Sequence, residues 1–131
     1  MKLLLDTHSL LWALLDDQMI SSVKELINNQ NNEIFVSTAS LWEIEIKHSM
    51  RPDTMPFSSD EIVDVLEKRT DFTILPVKQS HISRLNSFIN QGIHKDPFDH
   101  MLLSVAAAED IYLLTHDEKT GKYQGVRLIQ F

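Results

Sequence analysis

Cysteine is absent from this chain, which excludes disulfides and thiolate metal sites. Long apolar spans are absent too. The leucine-rich start is interrupted by Asp6 and His8, and Asp16 and Asp17 follow, so neither a membrane segment nor a signal peptide is expected and the expected setting is the cytoplasm. Positive charge is scarce: Lys and Arg number 12 against 19 Asp and Glu, a formal net charge of -7. That balance argues against a surface built chiefly to grip nucleic acid by counterion release. It leaves room for an acidic site that reaches phosphate through bound cations. No internal repeat, linker or low-complexity run divides the chain, and its 131 residues are enough for one domain, residues 1–131, with its own core.

What is present begins with Lys2 to His8, KLLLDTH. A short continuous apolar run stopped by a polar residue suits a strand buried on both faces, as in a parallel sheet flanked by helices. Helical spacing of Leu10, Leu11, Leu14 and Leu15 follows. Ser21 offers a cap for a second helix carrying Val23, Leu26 and Ile27, and Glu33 to Val36 reads as a second strand. Ser37 or Thr38 caps a third helix from Ala39 to about Ser49, and Ser58 with Glu61 forms a capping box ahead of a fourth. Phe72 to Leu75 is a short strand before Pro76, and a fifth helix carries Ile82, Leu85, Phe88 and Ile89 to a stop at Gly92. Pro97 opens a sixth helix, Ile111 to Thr115 is a strand, His116 to Gly121 a turn or short helix, and Val126 to Ile129 a last strand. Alternating strands and helices predict an α/β fold: a three-layer sandwich with a central, mostly parallel sheet of four to five strands.

Four acids sit where the apolar pattern does not expect surface charge. Asp6 and Asp117 each follow an apolar strand, and the carboxyl ends of parallel strands open onto one edge, where α/β folds bind ligands. Glu43 falls on the stripe of Ala39, Trp42, Ile46 and Met50, whereas Glu45 lies off it as a surface acid. Asp99 shares a face with Leu102, Leu103 and Ala106, with His100 and Ser104 on the more polar side. Each acid also has a plain structural explanation: Asp6 as a helix cap, Asp99 complementing a helix dipole, Glu43 snorkelling at an edge, Asp117 in a turn. Their coincidence favours a shared site. Two like charges ~4 Å apart repel by about 4 kcal/mol at an effective dielectric of 20, so such a cluster calls for a hard cation, Mg2+ or Mn2+. Metal-assisted phosphodiester hydrolysis fits that chemistry.

The surrounding residues fall into place around this reading. Asp96, three residues before Asp99, is expected as the helix N-cap with a secondary part in the metal shell. His8, His100 and His116 lie within two residues of a site acid and are expected behind the ligands or at substrate phosphate; His48 and His81 are placed on the surface. No HxxxH or HxH pair offers a compact zinc set. Trp12 and Trp42 are placed in the core. Lys47, Arg51, Lys95, Lys119 and Lys122 could form a basic rim.

At LLLDTHSLLW (3–12), SLWEIEIK (40–47), DPFDHMLLSVAAAE (96–109) and LLTHD (113–117) the sequence resembles the PIN-domain ribonucleases, particularly the VapC-type toxins of bacterial toxin-antitoxin pairs. The resemblance puts the family's acids on Asp6, Glu43, Asp99 and Asp117, the four that periodicity selects, and implies RNA cleavage with Mg2+ or Mn2+. It further implies a homodimer and a small antitoxin protein bound over the active site. His100 stands where related sequences often carry arginine, and Ser40 and Thr115 match small hydroxyl positions that orient carboxylates. Three other readings remain: a housekeeping nuclease of the same family, a phosphotransferase with Asp6 as nucleophile, and a non-catalytic module whose acids receive a basic partner segment. Against the second, haloacid-dehalogenase-like enzymes usually need an Asp two residues on, where this chain has His8.

Overall fold

A computed structural model describes residues 1–15 and 19–131; Asp16 and Asp17, read above as ending the apolar start, lie outside the described residues. Five strands, β1 (Lys2–Leu5), β2 (Glu33–Ser37), β3 (Thr73–Leu75), β4 (Tyr112–Thr115) and β5 (Arg127–Gln130), form one sheet in the order β3-β2-β1-β4-β5. All four pairings are parallel. The expected three-layer α/β sandwich is therefore the one observed, with every strand parallel.

Strand alternation divides the core between the two faces. Leu3 and Leu5 join Ile34, Val36 and Leu114 in one cluster, packed with Leu10, Val23, Ile44 and Ile62. Leu4 points the other way, with Leu113, Leu102, Leu103, Ala106 and Phe88. Leu3, Leu4 and Leu5 are all fully buried, as a two-faced central strand requires; each such burial contributes about 1.5–3 kcal/mol. Because the chain runs from β1 outward to β2 and β3 on one side and then returns to β4 and β5 on the other, the order reverses between β1 and β4. A crevice at the carboxyl edge follows from that reversal.

The helices are α1 (Thr7–Leu15), α2 (Ser21–Asn28), α3 (Thr38–Met50), α4 (Ser59–Arg69), α5 (Gln79–Ile82), α6 (Leu85–Ile89) and α7 (Pro97–Glu109). Ser58 and Glu61 make the expected capping box on α4, and Asp96 caps α7 by accepting from the N–H groups of Phe98 and Asp99. Ser37 caps α3, while Thr38 accepts from Val77 N–H instead. Several expectations need correction. Ser21 is the first residue of α2, whose cap position is Ile20 with no side-chain bond. The single fifth helix is two short ones, because the chain turns at Ser83 and Arg84.

Several side chains also lie elsewhere than the residue pattern indicates. Trp42 is 62% exposed and Met50 75%, so the Trp42–Ile46–Met50 stripe of α3 faces outward; the buried face is Ala39, Ser40, Glu43 and Ile44. Trp12 is only partly buried, packed against the first cluster. His81 is fully buried, not on the surface: its Nδ1 accepts from Lys78 N–H, and its Nε2 faces Glu109. His48 is half-buried, its Nδ1 2.8 Å from the Met55 carbonyl oxygen. On α7, His100 and Ser104 are both buried, although the residue pattern left that side polar, and His100 lies against His94 and Tyr123.

Candidate active site

The carboxyl edge between β1 and β4 holds the first two acids. Asp6 follows β1 directly, and its backbone N–H donates to Leu114 O at 3.1 Å, which pins the end of β1 to β4. Its Oδ1 accepts from Ser9 N–H at 2.7 Å, so Asp6 caps α1 while standing at the crevice; one carboxylate serves both purposes, and its second oxygen takes no hydrogen bond among the described residues. Ser9 adds a bond from its hydroxyl to the same Leu114 carbonyl. Asp117 lies two residues past β4. Its Oδ2 accepts from both the N–H (2.8 Å) and the hydroxyl (2.7 Å) of Thr120, and its own N–H donates to Thr115 Oγ1 at 3.1 Å. Partial burial pushes the Asp117 carboxyl up, but the two Thr120 bonds, with His94 and Lys119 nearby, outweigh it and hold the group below the usual range.

Asp99 stands in the first turn of α7, half-buried. Burial, then the neighbouring Asp96 charge and that of Asp6, push its carboxyl up to about 6, against the opposing hydrogen bond from His94. The Asp6 charge is the smallest of these influences, and it places the carboxyl end of β1 on the same side of the sheet as the start of α7. His94 Nε2 lies 3.0 Å from Asp99 Oδ2 and 3.5 Å from Thr120 Oγ1. His94, Asp99 and Asp117 each present a ligand atom, all within 4.8 Å of one another, a spacing that one cation can bridge.

Glu43 is near this cluster in sequence logic but does not join it. Buried on α3, it has Oε1 2.6 Å from Thr7 Oγ1 and Oε2 2.7 Å from Lys47 Nζ. Thr7 has one hydroxyl proton, and the shorter contact gives it to Glu43; Ser40 Oγ, 3.2 Å from Thr7 Oγ1, braces the hydroxyl from its other side. Since Thr7 adjoins Asp6, this chain of contacts ties Glu43 to the β1 edge.

The flanking residues sort themselves by contact. His8 is exposed and stacks on Trp12, while His116 packs edge-on to the same ring and its Nδ1 meets the Phe131 carbonyl oxygen. His100 is buried behind the site, its Nε2 2.9 Å from His94 O and 3.1 Å from Tyr123 OH. Of the lysines assigned to a rim, Lys47 is bound to Glu43. Sequence reasoning missed Thr7, His94, Tyr123 and Thr120. The signals available were Thr7 beside Asp6 and His94 two residues before the Asp96 cap. A cavity of about 990 Å3 opens at the opposite edge, where Glu33 and Thr73 begin their strands, and includes none of the candidate acids.

The PIN domain family model matches residues 3–125. No curated protein sequence matches the chain. Among solved structures, VapBC2 from Rickettsia felis bound to a promoter DNA fragment is similar at TM-score 0.74 and 18% identity, covering 99% of this chain and 98% of that one. DNA-bound VapBC from Salmonella typhimurium gives 0.72 and 17%, with the same coverage. VapBC-5 from Mycobacterium tuberculosis, described as a member of the VapBC family of toxin-antitoxin systems, gives 0.62 and 16%, covering 99% and 98%. At these identities the likeness is one of fold.

Proposed function

Because the chain belongs to the PIN-domain family, we propose that it is an endoribonuclease dependent on Mg2+ or Mn2+, acting as the toxin of a toxin-antitoxin pair. The observation that carries this reading is the meeting of Asp99 and Asp117 at the β1/β4 edge, where ligand atoms of both and of His94 lie within 4.8 Å of one another and where burial, then the charges of Asp96 and Asp6, raise the Asp99 carboxyl. The donor set fits a divalent cation: carboxylate oxygens, one of them destabilised as an anion until a positive charge arrives. Asp6, Asp99 and Asp117 would hold it. Bound there, a divalent ion lowers the pKa of a water and neutralises charge developing on the phosphate.

The chain's own residues supply the rest. Thr120 and Thr115 fix the Asp117 carboxylate and its backbone, and Asp96 anchors the start of α7 so that Asp99 faces the crevice. Glu43, held by Thr7 and Lys47, keeps a second lone pair on each oxygen to accept a hydrogen bond from the attacking water; Ser40 keeps Thr7 in place. His8 and His116, at the outer side of the edge, meet substrate phosphate. The partners in this reading are RNA, a small antitoxin protein covering the site and a second copy of the chain. Support for the antitoxin is the VapBC naming of the structural neighbours.

The phosphotransferase reading needs a second carboxylate two residues after Asp6, and the side chain there is the exposed imidazole of His8, stacked on Trp12. The test is cleavage of a single-stranded RNA by the purified chain with Mn2+, Mg2+ or EDTA, beside Asp6→Asn. Cleavage that needs the metal and is lost in the folded variant is expected. Undiminished cleavage by folded Asp6→Asn, once contaminating nuclease is excluded, would overturn the proposal, and growth unaffected by expressing the active chain would favour the housekeeping nuclease over the toxin.

A further inference from the structure

The cluster at the β1/β4 edge contains a nitrogen donor that an all-carboxylate site does not need. His94 reaches it from the segment between α6 and α7. Its Nε2 stands 3.0 Å from Asp99 Oδ2 and 3.5 Å from Thr120 Oγ1, the hydroxyl that itself bonds Asp117 Oδ2 at 2.7 Å. Donors around a single divalent ion, each at roughly 2.0–2.2 Å, lie about 3–4 Å from one another; His94 Nε2 and Asp99 Oδ2 already stand at 3.0 Å, and the set completed by Asp117 lies within 4.8 Å. His94 is the one histidine among the described residues placed with two carboxylates in this way.

The other ring nitrogen is held as a metal-binding imidazole needs. His94 Nδ1 lies 2.7 Å from the hydroxyl of buried Tyr123, which also meets His100 Nε2 at 3.1 Å and stands 3.4 Å from His94 O. A phenol can donate or accept. When it accepts from Nδ1–H and donates to the His94 carbonyl, the Nε2 lone pair is released toward Asp99 and Asp117; the reverse arrangement leaves Nε2–H donating to Asp99. Tyr123 therefore supports both tautomers without moving a heavy atom.

Resting on the metal-site reading above, we infer that His94 Nε2 is a ligand of the divalent cation, and that it biases the site toward first-row transition ions over Mg2+. Magnesium favours oxygen donors and keeps its waters, whereas imidazole adds affinity that rises along the series from Mn2+ to Co2+. The function of Tyr123 and His100 is then to orient that ligand.

The test is pulsed EPR on the full chain loaded with Mn2+, unlabelled and with 15N-histidine, alongside calorimetry with Mg2+, Mn2+ and Co2+. Modulation from one imidazole nitrogen, changing with the isotope and lost in His94→Gln, is expected. Calorimetry should give affinity in the order Mg2+, Mn2+, Co2+, with His94→Gln weakening Mn2+ by about 10–100-fold and narrowing the gap to Mg2+. Bound Mn2+ without nitrogen modulation, or modulation persisting in folded His94→Gln, would overturn the inference while leaving the nuclease reading standing. No divalent binding at all would remove both. If His94→Gln does not fold, the isotope experiment on the unaltered sequence decides alone.

Discussion

The two halves of the site meet their negative charge in opposite ways. Around Glu43, the carboxylate already has a hydroxyl on one oxygen and an ammonium on the other. Around Asp99, a half-buried carboxyl faces Asp96 and Asp6, has only His94 for relief, and titrates at about 6. An acid whose charge is already matched has a small appetite for a cation, and one that is crowded by its own kind has a large one. On the nuclease reading proposed above, the contrast separates acids that hold metal from an acid that positions water, a division that four carboxylates in a sequence do not reveal.

Substitution on the crowded side should break the contrast most sharply. Asp117→Asn is expected to lower RNA cleavage by roughly 10^3-fold and to abolish the rise in Tm expected on adding Mn2+. Glu43→Gln should lower cleavage by roughly 10–100-fold while Mn2+ affinity, read by calorimetry, stays within a few-fold. An equal loss of metal affinity in the two variants would erase the distinction.

Asp99 supplies a pH test. A carboxyl raised in the folded state binds its proton more tightly there than in the unfolded chain, so without metal the folded state is favoured below the ordinary value of 3.8 and loses that advantage as pH rises through about 6. Metal requires the ionised form. The Mn2+-induced rise in Tm should therefore be full at pH 7.5 or so and fade as pH falls below about 6. Asp99→Asn should raise metal-free stability at neutral pH by roughly 1 kcal/mol, after discounting for solvent screening, measurable by urea unfolding. Smallest of all, Lys47→Met should change stability by less than about 1 kcal/mol because Lys47 is about half exposed.

What could be foreseen and what could not divides along the range of the interactions. The run Leu3 to Leu5, the capping box at Ser58 and Glu61, and the Asp96–Pro97 start of α7 were legible because each is decided within a few residues. The faces of α3 and α7 were not. On α3 the more apolar stripe, Trp42 to Met50, faces outward and the stripe with Ser40 and Glu43 faces in, because Thr7 of α1 lies against the latter. His81 likewise looked superficial, yet it is fully buried on α5 with its Nε2 turned to Glu109 of α7.

By itself the sequence determined the sheet-forming runs, the helix starts and the identity of the acids at strand and helix ends, since periodicity and capping are local properties of a chain. Only the tertiary structure decided which carboxylates crowd together, that Thr7 and Lys47 satisfy Glu43, and that His94 stands between Asp99 and Asp117. The reason is distance: Coulomb repulsion and ligand geometry act over a few ångströms of space, and these residues, spread from Asp6 to Asp117, become neighbours only when the parallel sheet closes β4 onto β1.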